Sequence, residues 1–399
     1  MARKCFIGFD VSRLGFVASG TAAALPVGVS YVSKTSDTTF YNPFEVTPTY
    51  SSRSGRNSFG LAFPDFAFGA ANFESSSIQP VISVAVTRSS IGSPQEVWVS
   101  FDVFIANLGQ NFDDPTNYMR AQARYQVFKW GDLSLRLRRV YSYVASPLSY
   151  RYEWEAFNGT TSLGTISPPA YTTTSQWAFV RIRARLDSGT SGRFDITIDA
   201  TSLNSGGINS VATTPLNDAT HLYFCGGFLG AVNSGTIGYF SMDNVLIDDA
   251  EFSAGRPTGG TVTLASDNTL TNWSAVGAAT VAAALSGAGT ARGTGTGATA
   301  LLNLGSVTTT GWETDLIGFQ LVSTGMANLD PLLQRKLMQG ISLSGTAYNG
   351  TQLQTYLPPM TPSVLNPAYP LDTIFYKGGT TSFTTTDITN CKPRLEVVA

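Results

Sequence analysis

The stretch Trp177 to Ala200, WAFVRIRARLDSGTSGRFDITIDA, alternates apolar and polar residues with a period of two on both sides of a short turn. Val180, Ile182, Ala184 and Leu186 share one face, and Arg181, Arg183 and Arg185 share the other. After Ser188-Gly189 and Ser191-Gly192, Phe194, Ile196 and Ile198 return with the same period. A helix would scatter these residues around its circumference, so the pattern requires an antiparallel hairpin with one buried face.

The period recurs. Val97, Val99, Phe101, Val103 and Ile105 hold one face of a strand, and Leu133, Leu135 and Leu137 alternate with Ser134, Arg136 and Arg138. The tract Tyr141 to Trp154 continues in an extended style, and a strand follows from His221 to Phe228. In GYFSMDNVLIDDAEFSAGRPTGG, residues 238–260, Phe240 and Met242 and then Val245 and Ile247 form the apolar face. Asn244 stands at the phase break, where a bulge would shift the alternation. Asp248 and Asp249 end that strand, and Gly255, Pro257, Gly259 and Gly260 mark a domain boundary.

A chain of 399 residues suits two domains, and the boundary divides it into 1–255 and 256–399. Charged residues are 13% of the chain against about 25% in an average globular protein, so Ser, Thr, Asn and Gly must form much of the surface. The abundance of aromatic and β-branched residues favours strands, and helix is expected below about 10% of the chain. A net charge of −2 without a block of like charge gives no grip on nucleic acid. No run of 18 apolar residues is present, so no membrane span is expected.

Residues 1–75 are rich in aromatics and turns, with Cys5 to Phe9 read as a first strand because Asp10 and Arg13 interrupt the apolar run too early for an export signal. Within 261–300 the Ala-, Gly- and Thr-rich sequence is read as loop and strand. Leu332 to Leu343 is read as strand because a turn signal, SGTAYNGT, follows it.

Cys5, Cys225 and Cys391 lie far apart with one histidine, His221, so no metal site, disulfide framework or cofactor is expected, and each thiol is expected to be buried. Asp243, Asp248 and Asp249 do not have the spacing of a calcium loop and are read as capping a strand and repelling edge pairing. His221 has no Ser or Cys nucleophile in a recognisable motif. Glu153 and Glu155 are the nearest pair of acids to a glycosidase arrangement. They share one face with Trp154 opposite, and without a third acid they read as an exposed acidic face. No catalytic residue and no enzyme activity are therefore expected. Tyr150, Tyr152 and Trp154 are the candidate carbohydrate-binding residues, since aromatic faces stack on sugar rings.

The Trp177-initiated strand, the turn before Phe194 and Asp195, the Ile198-Asp199-Ala200 end and the late strand FSMDNVLIDDAEF resemble the concanavalin A-like lectin/glucanase fold over about residues 80–252. The resemblance implies an all-β chain: a lectin-like jelly-roll sandwich followed by a second, smaller β-sandwich domain. The order of that strand, GRPTGG, TNWSAVGAAT, a strand ending near Phe319 and Leu321, AYNGT and NPAYPLDTIF is similar to a family of structural proteins of tailed bacteriophages. That likeness implies a virion protein made in the bacterial cytoplasm, a distal-tail or fibre component that contacts the host surface. Its implied partners are copies of itself, other virion proteins and a host glycan. A capsid decoration protein and a glycan-degrading depolymerase are the alternatives.

Overall fold

In the computed structural model the described residues are 5–7, 15–16, 29–31, 44–47, 58–63, 82–85, 96–106, 124–142, 149–166, 176–187, 192–199, 201–203, 208–211, 219–229, 238–248, 262–306, 315–316, 318–321, 336–354, 372–374 and 383–399. Two compact units divide at Gly259/Gly260. The strands of the first unit begin with β1 (Cys5–Ile7), β2 (Gly15–Phe16), β3 (Val29–Tyr31), β4 (Phe44–Thr47), β5 (Ser58–Phe63), β6 (Ile82–Ala85), β7 (Glu96–Ala106) and β8 (Arg124–Trp130). They continue with β9 (Leu133–Ser142), β10 (Ser149–Asn158), β11 (Thr161–Ile166), β12 (Gln176–Arg185), β13 (Gly192–Ile198), β14 (Thr201–Ser202), β15 (Ile208–Val211), β16 (His221–Leu229) and β17 (Gly238–Asp248).

These strands form two antiparallel sheets. A ten-stranded sheet runs β14-β13-β12-β7-β17-β5-β4-β2, with β1 on β17 and β15 on β13, and a seven-stranded sheet runs β11-β10-β9-β8-β16-β6-β3. The fold is all-β and of the jelly-roll sandwich class. Alternation decides the register: Val180 faces Ile198 and Ile182 faces Ile196 across β12 and β13, and Val180 faces Phe101 across β12 and β7. Val99, Phe101, Val180, Ile182 and Ile196 are all buried, as the period of two predicts. Four phenylalanine rings tie the sheets together. Phe101 meets Phe224 edge-on with centroids 5.7 Å apart, Phe224 meets Phe128 at 5.7 Å, and Phe128 stacks on Phe194 at 6.3 Å.

The break expected at Asn244 is a bulge. Its φ is +51°, and the β17–β7 register shifts between Asp243 and Leu246. Asparagine tolerates this left-handed conformation better than other residues with a side chain except aspartate. The reading of Asp243 and Asp248 as edge-guarding residues is corrected. Strand β17 lies inside the sheet between β7 and β5, and both carboxylates are buried. Asp243 stands across from Asp102; Asn244 donates its main-chain N–H to Asp243 Oδ1 at 2.8 Å and its side-chain amide to Asp102 Oδ2 at 3.2 Å. Buried carboxylates supplied with donors in this way escape much of the cost of leaving water. Asp249 lies outside the described residues.

The second unit contains β18 (Leu264–Thr271), β19 (Trp273–Val276), β20 (Thr290–Gly293), β21 (Thr299–Leu304), β22 (Asp315–Leu316), β23 (Phe319–Leu321), β24 (Lys336–Leu343), β25 (Thr346–Gln354), β26 (Asp372–Ile374), β27 (Phe383–Thr384) and β28 (Cys391–Val398). A five-stranded sheet runs β18-β21-β28-β24-β25, and β19-β20, β22-β27 and β23-β26 form three separate two-stranded sheets. The ambiguous 332–343 segment contributes a strand, β24, closed by a turn at Ser344 and Gly345 with φ of +50° and +86°. The 261–300 reading needs one correction, because a short helical turn starts at Val281 and is broken at Gly287, whose φ is +101°. Asp267 accepts from the main-chain N–H groups of Val281 and Ala282, and Thr280 Oγ1 accepts from Ala283. The donors a helix start leaves open are thus satisfied from outside the helix. Gly293 lies against Trp273, where a Cβ would come within 2.7 Å of the indole.

Cys391 packs with Ile341, Leu343 and Phe383. Burial, and then the negative charge of Asp387, push its thiol up from 9.0 to about 12. Folding therefore favours the protonated thiol. This contribution to stability is complete below the unfolded value of 9.0 and is lost as pH rises through about 12. In a Cys5→Ser/Cys225→Ser variant, Cys391 is expected to resist a thiol-directed reagent at neutral pH until denaturant unfolds the second unit. Rapid labelling of the native protein would refute its burial. Cys5 and Cys225 lie on β1 and β16, and their side chains are outside the described set.

Candidate functional site on the outer face of the seven-stranded sheet

Leu133, Leu135 and Leu137 of β9 face the core, as do Trp154 and Ala156 of β10 and Leu222 and Phe224 of β16. The alternate residues therefore form the outer face. Register sets them in rows across the strands. Thr165, Glu155, Arg136, Gln126 and Gly226 make one row from β11 to β16. Ser162, Phe157, Ser134, Lys129, Tyr223 and Ser83 make the next, from β11 to β6. His221 extends the face two residues along β16 from Tyr223, opposite Ala85.

The β10 end of the central strands is covered and the β16 end is open, while Ser162 and Thr165 at the β11 edge are exposed. Glu153 and Glu155 are 5% and 4% exposed, and Phe157 and Ser134 are buried with them. Gln126, Tyr223 and His221 are half-buried and Lys129 is exposed. The expectation of an exposed acidic face at Glu153 and Glu155 is thus corrected: alternation places both acids outward, but they are enclosed. Beside them the Arg136 guanidinium lies over the Phe157 ring at 3.9 Å, donates through Nε to Ser134 Oγ at 3.1 Å, and donates through Nη2 to the Gly159 carbonyl at 3.2 Å. Three separate contacts fix this cation.

At the open end, His221 and Tyr223 lie with ring centroids 5.9 Å apart and planes inclined by 26°. Thr220 Oγ1 is 2.8 Å from His221 Nδ1, a hydrogen bond that orients the imidazole and directs Nε2 elsewhere. Lys129 stands across from Tyr223 on the adjacent strand. With strands about 4.8 Å apart, Arg136, Gln126, Lys129 and Tyr223 fall within about two strand spacings, the width of one or two sugar rings. A cation, an amide, an ammonium, a phenol and an imidazole thus meet on one face. Such a set can hold an anionic sugar and move protons on it.

The aromatic residues proposed for sugar stacking lie elsewhere. Trp154 is fully enclosed in the sandwich core, across from Leu137, so its ring offers no face to a glycan. Tyr150 and Tyr152 lie on β10, and their side chains are outside the described residues. Linear reading missed Gln126, Lys129 and Tyr223, and gave His221 no role because it has no sequence-adjacent nucleophile. The available signal was period two in RYQVFKW and HLYF, which separates Tyr223 and His221 from Leu222 and Phe224. Among the described residues no helix is long and apolar enough to cross a membrane, and no three His, Cys, Asp or Glu side chains group as a metal site needs.

No known protein family matches the chain, and no curated protein does. Solved structures with a similar fold include an endo-β-1,4-glucuronan lyase from the fungus Trichoderma reesei, at 12% identity and TM-score 0.36. That match covers 62% of this chain and 95% of the other. Another is alginate lyase Aly36B carrying two substitutions, in complex with alginate trisaccharide, at 10% identity and TM-score 0.37, covering 62% and 99%. A third is the botulinum neurotoxin type G receptor-binding domain, at 11% identity and TM-score 0.33, covering 98% and 85%. The expectation of a protein without enzyme activity is corrected: it rests on Glu153 and Glu155 forming an exposed acidic face, and both are buried.

Proposed function

We propose that the protein cleaves an acidic polysaccharide, with the glycan lying across β8, β9 and β16 on the outer face of the seven-stranded sheet. The observation that carries this reading is the grouping of Gln126 and Lys129 with the His221–Tyr223 pair at the open end of that face, with Arg136 one strand away beside the covered glutamates. The residue types suit β-elimination on a uronate. Gln126 and Lys129 bind the sugar carboxylate, and Arg136 adds positive charge behind them, so that charge developing on the carboxylate as C5 loses its proton is stabilised. His221 takes the C5 proton, the C4–O4 bond breaks as the C4–C5 double bond forms, and the Tyr223 hydroxyl protonates the departing oxygen. The products are an unsaturated uronate end and a new reducing end.

Hydrolysis is the competing chemistry for a glycan-degrading protein, and among the described residues Glu153 and Glu155 are the adjacent acids on this face. Both sit at the covered end, which favours elimination at the open one. The test is to incubate the purified chain with alginate, polyglucuronate and a neutral β-glucan, following both reducing ends and the ultraviolet absorbance of the double bond. Elimination predicts that both signals rise together on an acidic polymer. Reducing ends without absorbance would transfer the chemistry to the glutamate pair, and the absence of new ends on every polymer would overturn the reading. Placement on a phage tail, capsid or fibre, in contact with sibling copies and a host glycan, is compatible with a depolymerase and is supported by the sequence resemblance alone.

A further inference from the structure

We infer that the outer face of the ten-stranded sheet carries a second glycan-binding surface, a row of arginines that holds a polyanionic polysaccharide chain away from the site of cleavage. Arg181, Arg183 and Arg185 occupy alternate positions of β12, and Arg193 of β13 stands directly across from Arg185. Like charges placed opposite each other on neighbouring strands destabilise a sheet, and Arg185 has Arg193 across from it on β13 and Glu96 across from it on β7, a carboxylate that bonds Arg183 instead. Glu96 bonds Arg183, which also stacks over Trp98 at 4.8 Å, and Asp195 bonds Arg193. Arg181 and Arg185 have no carboxylate partner among the described residues. Asp187, half-buried just beyond the end of β12, has contacts of its own.

Two of the four guanidiniums are thus pinned by their partners, and two, about 13 Å apart along the strand, stand ready for an anion. All four are half-buried, so their stems are held by packing while the heads reach water. Further along the same face Ser100, Asp102, Asp243 and Asp248 are buried, which takes those acids out of competition for a ligand. A guanidinium presents a planar fork that pairs with carboxylate or sulfate through two hydrogen bonds. Regularly spaced anions along a flexible chain complement a row of this kind. The choice of a polysaccharide as occupant rests on the function proposed above; the row itself does not.

The experiment is affinity electrophoresis of the full chain through gels containing alginate or neutral dextran, with a DNA duplex as competitor. A Tyr223→Phe background keeps cleavage from confusing the result, so that failure of the cleavage reading and failure of this one are read separately. Alginate is expected to retard the chain and dextran to leave it unretarded, with retardation falling as salt is raised. Arg181→Gln/Arg185→Gln should weaken alginate binding at least about fivefold, and Arg181→Lys/Arg185→Lys should restore only part of it, because the ammonium keeps the charge and loses the fork. Circular dichroism of each variant checks that the sheet is intact. Equal retardation of the Gln variant and its parent, no retardation by alginate at all, or displacement by DNA at lower charge concentration than alginate would each overturn the inference.

Discussion

Replacing Phe101 by Ala is expected to destabilise the first unit by about 3–5 kcal/mol, the range typical of deleting a fully buried ring and leaving a cavity. The ring is completely enclosed and stands at one end of the chain of contacts from Phe101 through Phe224 and Phe128 to Phe194, so its loss removes an edge-on aromatic contact as well as apolar area. The effect reaches the site. Phe224 and Phe128 are the inward neighbours of Tyr223 and Lys129 on β16 and β8, and a collapsing cavity beneath them would shift the strands that carry the proposed chemistry. Denaturant unfolding of the full chain, with the first unit's transition followed by near-ultraviolet circular dichroism, measures the change. Phe101→Leu should cost well under half as much, because most of the volume is kept. A cost below 1 kcal/mol for the Ala variant would mean that the two sheets do not rely on this packing.

The sandwich was legible wherever one face of a strand is apolar and the other polar. The β12–β13 hairpin, β7 and β9 follow from alternation alone, and the break at Asn244 followed from the shift in phase on its two sides. Alternation does not say whether the outer face is itself covered by more chain. That is why Glu153, Glu155, Asp243 and Asp248 were placed outside when all four are enclosed. Trp154 was the opposite failure. An indole flanked by two acids on a strand must point to the apolar side, and its spacing from Tyr150 and Tyr152 was read as a platform when its polarity already placed it in the core. In 261–300 the capping donors' partner, Asp267, lies fourteen residues before the helical turn, beyond the reach of a local rule.

The site was the least legible part. Gln126, Lys129 and Arg136 come from the β8–β9 hairpin, while His221 and Tyr223 lie more than eighty residues further along, and the β8–β9 and β8–β16 registers bring them into adjacent rows. No spacing rule joins them. The face they make also depends on the shift in β8 between Gln126 and Phe128, which turns Val127 and Phe128 together towards the core and lets Gln126 and Lys129 both face out. Bulges commonly re-aim side chains beside functional sites, and this one brings an amide and an ammonium to the same surface.

Substituting Tyr223 by Phe removes one hydroxyl and leaves the ring, its stacking on His221 and the strand pairing unchanged. If the hydroxyl returns the proton to the departing sugar oxygen, bond breaking loses its general acid, an effect worth about 10²–10⁴-fold in rate. Binding through Gln126, Lys129 and Arg136 would persist, so the loss should fall on kcat with KM changed by no more than a few-fold. His221→Ala should lose a comparable factor, because the same turnover needs the C5 proton removed. The decisive measurement is the initial rate of double-bond formation on an acidic polysaccharide by the parent chain and by Tyr223→Phe at matched protein concentration. A rate at least about a hundredfold lower in the variant, with KM held, is the predicted result; equal rates in the two proteins would contradict the assignment of this face as the cleavage site.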